Sequence, residues 1–202
     1  MNRRSRRLPP AWLLAVALVS CSTDGRTLAP ASPTQNESVA IAPSQPAATE
    51  ESFAVRGAWT EGSDIDLTYT CYGDAISPPI EIVAQPPGTV TLAVQLSDAQ
   101  SPDDLLWLVA NVAGGTVAIG AGGLPPDVIV ATNSDGNPGY RAPCPSKGER
   151  RQYILSLYAL DGAVDPTEVT GIDGTVNGEV LLTAIERRTF DLVETSFFVQ
   201  AP

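Results

Sequence analysis

Two eight-residue runs decide what this chain can fold into. Leu105-Leu106-Trp107-Leu108-Val109-Ala110-Asn111-Val112 and Tyr153-Ile154-Leu155-Ser156-Leu157-Tyr158-Ala159-Leu160 are apolar at odd and even positions alike. A strand that is apolar on both faces must be covered on both faces, so each run reads as a central strand of a layered structure. The rest of the chain supplies breaks, with 18 Pro and 17 Gly among 202 residues. At 43% hydrophobic residues there is material for one real core. The expectation is a mostly β domain with at least one helix.

Around those runs lie shorter strand signals. Phe53-Ala54-Val55 opens the domain, Asp66-Leu67-Thr68-Tyr69-Thr70 alternates, and Ile80-Glu81-Ile82 follows the Pro78-Pro79 break. Thr89–Leu96 follows the turn Pro86-Pro87-Gly88, Val128-Ile129-Val130 is brief, and Phe197-Phe198-Val199 returns as a last strand. One segment has a helical period. Val180, Leu181, Ala184 and Ile185 share a face, with Asn177 as cap and Arg187-Arg188 in the last turn.

The N-terminus is organised differently. Arg3, Arg4, Arg6 and Arg7 precede the apolar run Ala11–Val19. Nine residues span only about 14 Å as helix, short of the roughly 30 Å bilayer core. A basic region, a short apolar core and small residues at its exit describe an export signal over residues 1–20. Leu18-Val19-Ser20-Cys21 resembles a bacterial lipobox, in which the cysteine takes lipid and becomes the new N-terminus; the alternative is a plain signal cut near Ser20. Ser5-Arg6-Arg7-Leu8 faintly resembles a twin-arginine export signal. Residues 21–52 are rich in Ser, Thr, Pro and Ala and contain no aromatic residue, too little apolar surface to offset the entropy of ordering. They read as a lipid-anchored disordered tether, and residues 53–202 as the folded domain. This places the chain on the extracytoplasmic face of a bacterial cell membrane.

Charge and composition exclude several functions. The net charge of −11 rises to −15 once residues 1–20, with four arginines and no acid, are removed. Such a body repels nucleic acid. There is no histidine, which removes Ser-His-Asp, Cys-His and His-zinc chemistry. Gly120-Ala121-Gly122-Gly123 lacks the Lys-Ser/Thr of a phosphate-binding loop. Asp64 and Asp66 gather no further oxygen ligands for calcium. Asp103-Asp104 reads as a solvated turn. No metal or cofactor is expected. With Cys21 lipidated, Cys71 and Cys144 remain as one pair in a compartment that permits disulfides. A bridge would close about 70 residues and stabilise the fold by roughly 4 kcal/mol in the chain-entropy model; two separate buried thiols are the alternative.

Four motifs in order carry a family resemblance. Tyr69-Thr70-Cys71-Tyr72-Gly73-Asp74 with Ser77-Pro78-Pro79 resembles the Y-T-C-D-G-D…S-P-P stretch of bacterial phosphatidylethanolamine-binding proteins, also called Raf-kinase-inhibitor-like proteins. Pro87-Gly88-Thr89 with Leu92-Ala93, the stretch from Asn133 through Gly139-Tyr140-Arg141-Ala142-Pro143-Cys144-Pro145-Ser146-Lys147-Gly148, and Tyr153…Leu157-Tyr158-Ala159-Leu160-Asp161 are similar to three further family motifs. The resemblance implies a β-sheet sandwich with peripheral helices and an anion-binding pocket at one end.

At that pocket the chain departs from the family. The D-P-D-A-P motif falls on Asp98-Ala99-Gln100-Ser101-Pro102, so its second acid is Gln100. Leu106 replaces a pocket histidine, with Trp107 kept beside it. Arg151 stands where a second histidine would, with Tyr153 kept, and Arg188 falls where a third would. The resemblance gathers Asp98, Trp107, Pro143, Arg151 and Tyr153 as ligand-binding residues and assigns no catalytic one. Three readings follow. Arg151 supplies a permanent cation for a small anion or phospholipid headgroup; or Arg151 pairs with Asp98 in a decayed pocket; or the site is remade for an apolar ligand or a protein partner. Lys147, Arg150 and Arg151 form a small basic spot in an acidic chain. The expectation is a membrane-anchored binding protein, not an enzyme. The alternative is an inhibitor or partner of an extracytoplasmic protein, because the family includes kinase and peptidase inhibitors.

Overall fold

The computed structural model describes residues 51–202. The export signal, Cys21 and nearly all of the expected tether lie outside the described residues.

Eight strands form two antiparallel sheets. In chain order they are β1 (Ala54–Gly57), β2 (Ile80–Val83), β3 (Thr91–Asp98), β4 (Ser101–Ala113), β5 (Ala118–Ile119), β6 (Ile129–Val130), β7 (Arg150–Leu160) and β8 (Thr189–Gln200). The larger sheet has the order β6-β4-β3-β7-β8 and the smaller β1-β2-β5. Two helices, α1 (Pro166–Val169) and α2 (Gly178–Glu186), separate β7 from β8.

The double-faced runs are explained by what covers them. On one face of the large sheet, Leu92, Val94, Leu96, Leu155 and Leu157 pack against Val55, Ile80, Ile82 and Ile119 of the small sheet. On the other, Ala93, Leu108, Ala110, Tyr158 and Leu160 pack against Val164, Val169, Leu181, Ala184 and Ile185 from the helices and their connections. Alternate residues of one strand therefore belong to different cores. Both cores are mainly aliphatic, with Trp107, Tyr153 and Phe197 in the first and Tyr158 in the second, and each face is closed by a separate layer.

Strand β4 changes register opposite Leu92 and Val94, and Asn111 sits there with φ of 61°. Asparagine tolerates this left-handed conformation. Its side chain donates to Val164 O and accepts from Val164 N, both at 2.8 Å, tying the irregularity to the chain leaving β7. Edge strand β8 is paired on its outer side by residues 62–65. Gly62 N donates to Ser196 O, Phe198 N to Ser63 O, and Ile65 N to Phe198 O. Glu61 fastens the start of this segment, its carboxylate accepting from Thr195 Oγ1, Ser196 N and Ser196 Oγ.

Three sequence expectations need correction. Asp66–Thr70 is not a strand but a 3-10 turn over Leu67–Tyr69. Asp66 accepts from Thr68 N at 2.8 Å and Thr70 Oγ1 donates to Leu67 O at 2.8 Å, so short polar side chains compete successfully with a ladder. The turn closes so tightly that a Cβ on Gly73 would lie 2.3 Å from Leu67 O. Asp103 and Asp104 are not in a turn, because β4 begins at Ser101 and carries both. Helix α2 has the expected Asn177 cap, but Val180 faces outward and is 46% exposed while Leu181, Ala184 and Ile185 are buried.

Candidate ligand-binding site

At one end of the large sheet, beyond the core, lies a cavity of about 490 Å³. Three strands and a loop build it. Antiparallel pairing sets Asp98, the last residue of β3, opposite Tyr153 of β7. Arg151 lies two residues before Tyr153 and so on the same face. Ser101, Asp104 and Leu106 enter from β4, and Arg141 and Cys144 from the loop between β6 and β7. The register of β3 against β4 shifts twice at Leu96–Asp98, re-aiming side chains beside the cavity.

The polar groups are already organised. Arg151 Nε donates to Asp98 Oδ2 at 2.7 Å, and Arg151 Nη2 to Ser101 Oγ at 3.2 Å. Asp98 is 4% exposed, and its second oxygen accepts from Gln100 N at 2.8 Å. The hydrogen bond that Arg151 donates to Asp98 holds its guanidinium above its ordinary pKa. Arg141 forms a second cluster, its Nη2 2.5 Å from Asp104 Oδ1 and its Nη1 3.0 Å from Asp135 Oδ1. Burial works to lower the Arg141 pKa, but the two carboxylates outweigh it and raise it. Tyr153 is 2% exposed and its hydroxyl lines the cavity with no hydrogen-bond partner among the described residues. Burial, aided by the Asp98 charge, pushes its pKa up to about 12, so it stays a phenol and a donor.

The lining thus holds two guanidiniums, Arg141 and Arg151, and four carboxylates, Asp98, Asp104, Asp135 and Glu149. Both cations are ion-paired, and the surplus charge is negative. No group of three or more metal-ligating side chains occurs among the described residues.

Of the five residues named from sequence, Asp98, Arg151 and Tyr153 meet here and the other two stand behind the wall. Trp107 is buried in the core with its ring edge-on to Tyr140, centroids 5.8 Å apart. Pro143 is buried beneath the loop, its carbonyl accepting from Cys71 N at 3.2 Å. Leu106 makes part of the floor apolar, as its replacement of a histidine requires. The basic spot disperses: Arg150 turns away to Asp64 and stacks over Phe198 at 3.7 Å, leaving only Arg151 in the cavity. Arg188 binds Ala184 O and Glu168 beside α1 and does not reach the cavity. Cys71 and Cys144 are joined as a disulfide that forms part of the wall. Sequence reasoning missed Arg141, Asp104 and Asp135. Their only signal was an arginine inside the Tyr140–Gly148 motif, whose acidic partners are brought in by tertiary structure.

Comparison with known proteins agrees with this architecture. A family model described as phosphatidylethanolamine-binding protein matches residues 55–198. A UPF0098 protein of Mycobacterium tuberculosis is 33% identical over 176 residues, covering 85% of this chain and 84% of the relative. From the same organism, the protein named "Putative lipoprotein LppC" is 27% identical over 164 residues, 79% and 81% of the two chains. The solved structure of Escherichia coli YbcL, described as a new member of the mammalian PEBP family, superposes with a TM-score of 0.64 at 20% identity, over 74% of this chain and 99% of that one. The chain belongs to the phosphatidylethanolamine-binding protein family.

Proposed function

We propose that this chain is a lipid-anchored, extracytoplasmic binding protein that holds a ligand without converting it, and that its cavity takes a small zwitterionic phospholipid headgroup of the phosphoethanolamine class. The observation that carries this reading is the mixture of charges in one cavity. The Tyr153 hydroxyl and the guanidinium N–H groups of Arg151 that Asp98 and Ser101 leave free can donate to an oxyanion. The carboxylates of Asp104, Asp135 and Glu149 exceed what Arg141 neutralises and can accept from an ammonium. A bare anion would meet the surplus acid without compensation; a zwitterion meets both signs. The anchor is supported by the leader and Cys21 pattern and by a relative bearing a lipoprotein name. Binding without catalysis is supported by the absence of histidine and by Asp98, whose two oxygens are both engaged. Fatty-acid labelling should mark the natural chain and not Cys21→Ala.

Calorimetry with phosphoethanolamine, inorganic phosphate and ethanolamine tests the ligand class. Phosphoethanolamine should bind most tightly. Arg151→Ala should weaken it by about tenfold or more, the loss expected of a charged hydrogen bond. Because arginine stays charged, affinity between pH 5 and 8 should follow only the ligand's own ionisation. Tighter binding of phosphate than of phosphoethanolamine would overturn the zwitterion reading. If none of the three binds at millimolar concentration, the cavity is not a headgroup site, and the fold serves as a scaffold for a protein partner.

A further inference from the structure

The wall of the cavity contains the Cys71–Cys144 disulfide, and its surroundings are unlike those of a buried staple. Both cysteines are exposed. The bridge joins two irregular segments, the turn at residues 67–74 and the loop at 140–146; neither is a strand, and the loop is tied to β4 at its start, where Arg141 N donates to Leu106 O at 2.8 Å. The loop supplies Arg141, Ala142, Cys144, Pro145 and Ser146 to the lining, so its position sets the cavity's shape.

Other contacts tie the same two segments. Cys71 N donates to Pro143 O, Tyr72 Oη to Pro145 O, and Tyr140 Oη to Tyr69 O. The Tyr72 and Tyr140 bonds are partly buried, and the rings of Tyr69 and Tyr140 pack against the first core, whereas the two cysteines lie outside both cores. Opening the bridge would therefore remove a covalent tie from the wall while the strand ladders keep all of their own hydrogen bonds.

We propose that Cys71–Cys144 is a thiol–disulfide exchange site, addressed by a dithiol reductant, whose state sets the mobility of the cavity wall. In the forward step a thiolate of the dithiol attacks one sulfur of the bridge. The S–S bond breaks, a mixed disulfide forms, and the other cysteine leaves as a thiolate that takes up a proton. The second thiol of the reductant then resolves the mixed disulfide. Two electrons and two protons pass to Cys71 and Cys144, and the dithiol becomes a disulfide. Exposure favours this exchange, since attack needs access to a sulfur. The proposal stands on the wall's geometry and does not depend on which ligand the cavity takes.

The test treats the full chain with dithiothreitol in native buffer, follows thiol appearance by alkylation and peptide mapping so that Cys21 is counted separately, and measures hydrogen exchange before and after. The expected result is complete reduction of Cys71–Cys144 while near-ultraviolet dichroism persists. Amides at 68–74 and 140–146 should then exchange by local opening, at least about tenfold faster, while β3 and β7 stay folded and remain the best-protected strands, their own exchange rising by no more than the lost cross-link lowers global stability. Re-oxidation should restore the slow rates, and the double variant Cys71→Ser/Cys144→Ser should reproduce the fast ones without reductant. Reduction only at denaturant concentrations that unfold the sheet would overturn the proposal. So would unchanged exchange at 140–146 in the reduced chain, or loss of the sheet's protection on reduction.

Discussion

Strand β7 passes through two environments. From Leu155 to Leu160 it is buried on both faces, between the small sheet and the helices. From Arg150 to Tyr153 it emerges at the cavity, where Arg151 meets Asp98 and the Tyr153 hydroxyl lies unpaired. The first environment is held by apolar area, which is non-directional and indifferent to pH. The second is held by ion pairs, directed hydrogen bonds and one disulfide, each dependent on a single partner. The family fold survives on the first, and the second is where the chain departs from the family's histidines. A change of the same size should act on stability in one half of the strand and on binding in the other.

Truncation in the buried half should have the largest effect. Leu157→Ala removes a side chain with no exposed surface and leaves a cavity between the sheets, so chemical denaturation should show a loss of about 3 kcal/mol. A loss under about 1 kcal/mol would mean the core relaxes around the gap and the contrast within β7 is weaker than drawn.

A smaller effect is expected at the sheet edge, where Glu61 fastens residues 61–65 to β8. Burial acts to raise the Glu61 pKa, but hydrogen bonds from Ser196 and Thr195 outweigh it and bring it below its ordinary 4.5. A carboxylate depressed on folding contributes stability that is present above its unfolded pKa and lost as pH falls through its folded one. Unfolding midpoints should therefore decline for the natural chain below about pH 4.5. Glu61→Gln should be less stable at pH 7, with the gap to the natural chain closing in acid. A gap that stays constant with pH would remove the charge from the account.

The smallest effect should come from Arg150, the neighbour that turns away from the cavity. Its guanidinium over Phe198 and its half-exposed pair with Asp64 are worth about 0.5–1 kcal/mol together. Arg150→Ala should lower stability by no more than that and leave phosphoethanolamine affinity unchanged. A large loss of affinity would move the boundary between the strand's two halves.

The same division separates what could be read from the residues alone. Leu105–Val112 and Tyr153–Leu160 announced central strands because burial on both faces is written in their own composition. The helix after Asn177 was legible because its cap and period are local, although the fold turns Val180 outward. Asp66–Thr70 alternates like a strand, but the Asp66 and Thr70 side chains close a turn that pattern alone does not reveal. In the cavity, Asp98, Arg151 and Tyr153 were gathered by the family resemblance, and the pairing of β3 with β7 is what brings them together. Trp107 follows Leu106 in the chain, yet only Leu106 reaches the cavity. The Arg141 cluster was hidden because Asp104, on β4, meets Arg141 and its loop neighbour Asp135 only in three dimensions.

The central claim is that the cavity, with its paired charges and free donors, is a working site for a zwitterion. A crystal structure of the chain grown with phosphoethanolamine tests it most directly. The account predicts density in the cavity, with phosphate oxygens within hydrogen-bond distance of Tyr153 Oη and the Arg151 guanidinium and the ammonium toward Asp104, Asp135 or Glu149. An empty cavity at saturating ligand, with the Arg151–Asp98 pair unchanged, would contradict it.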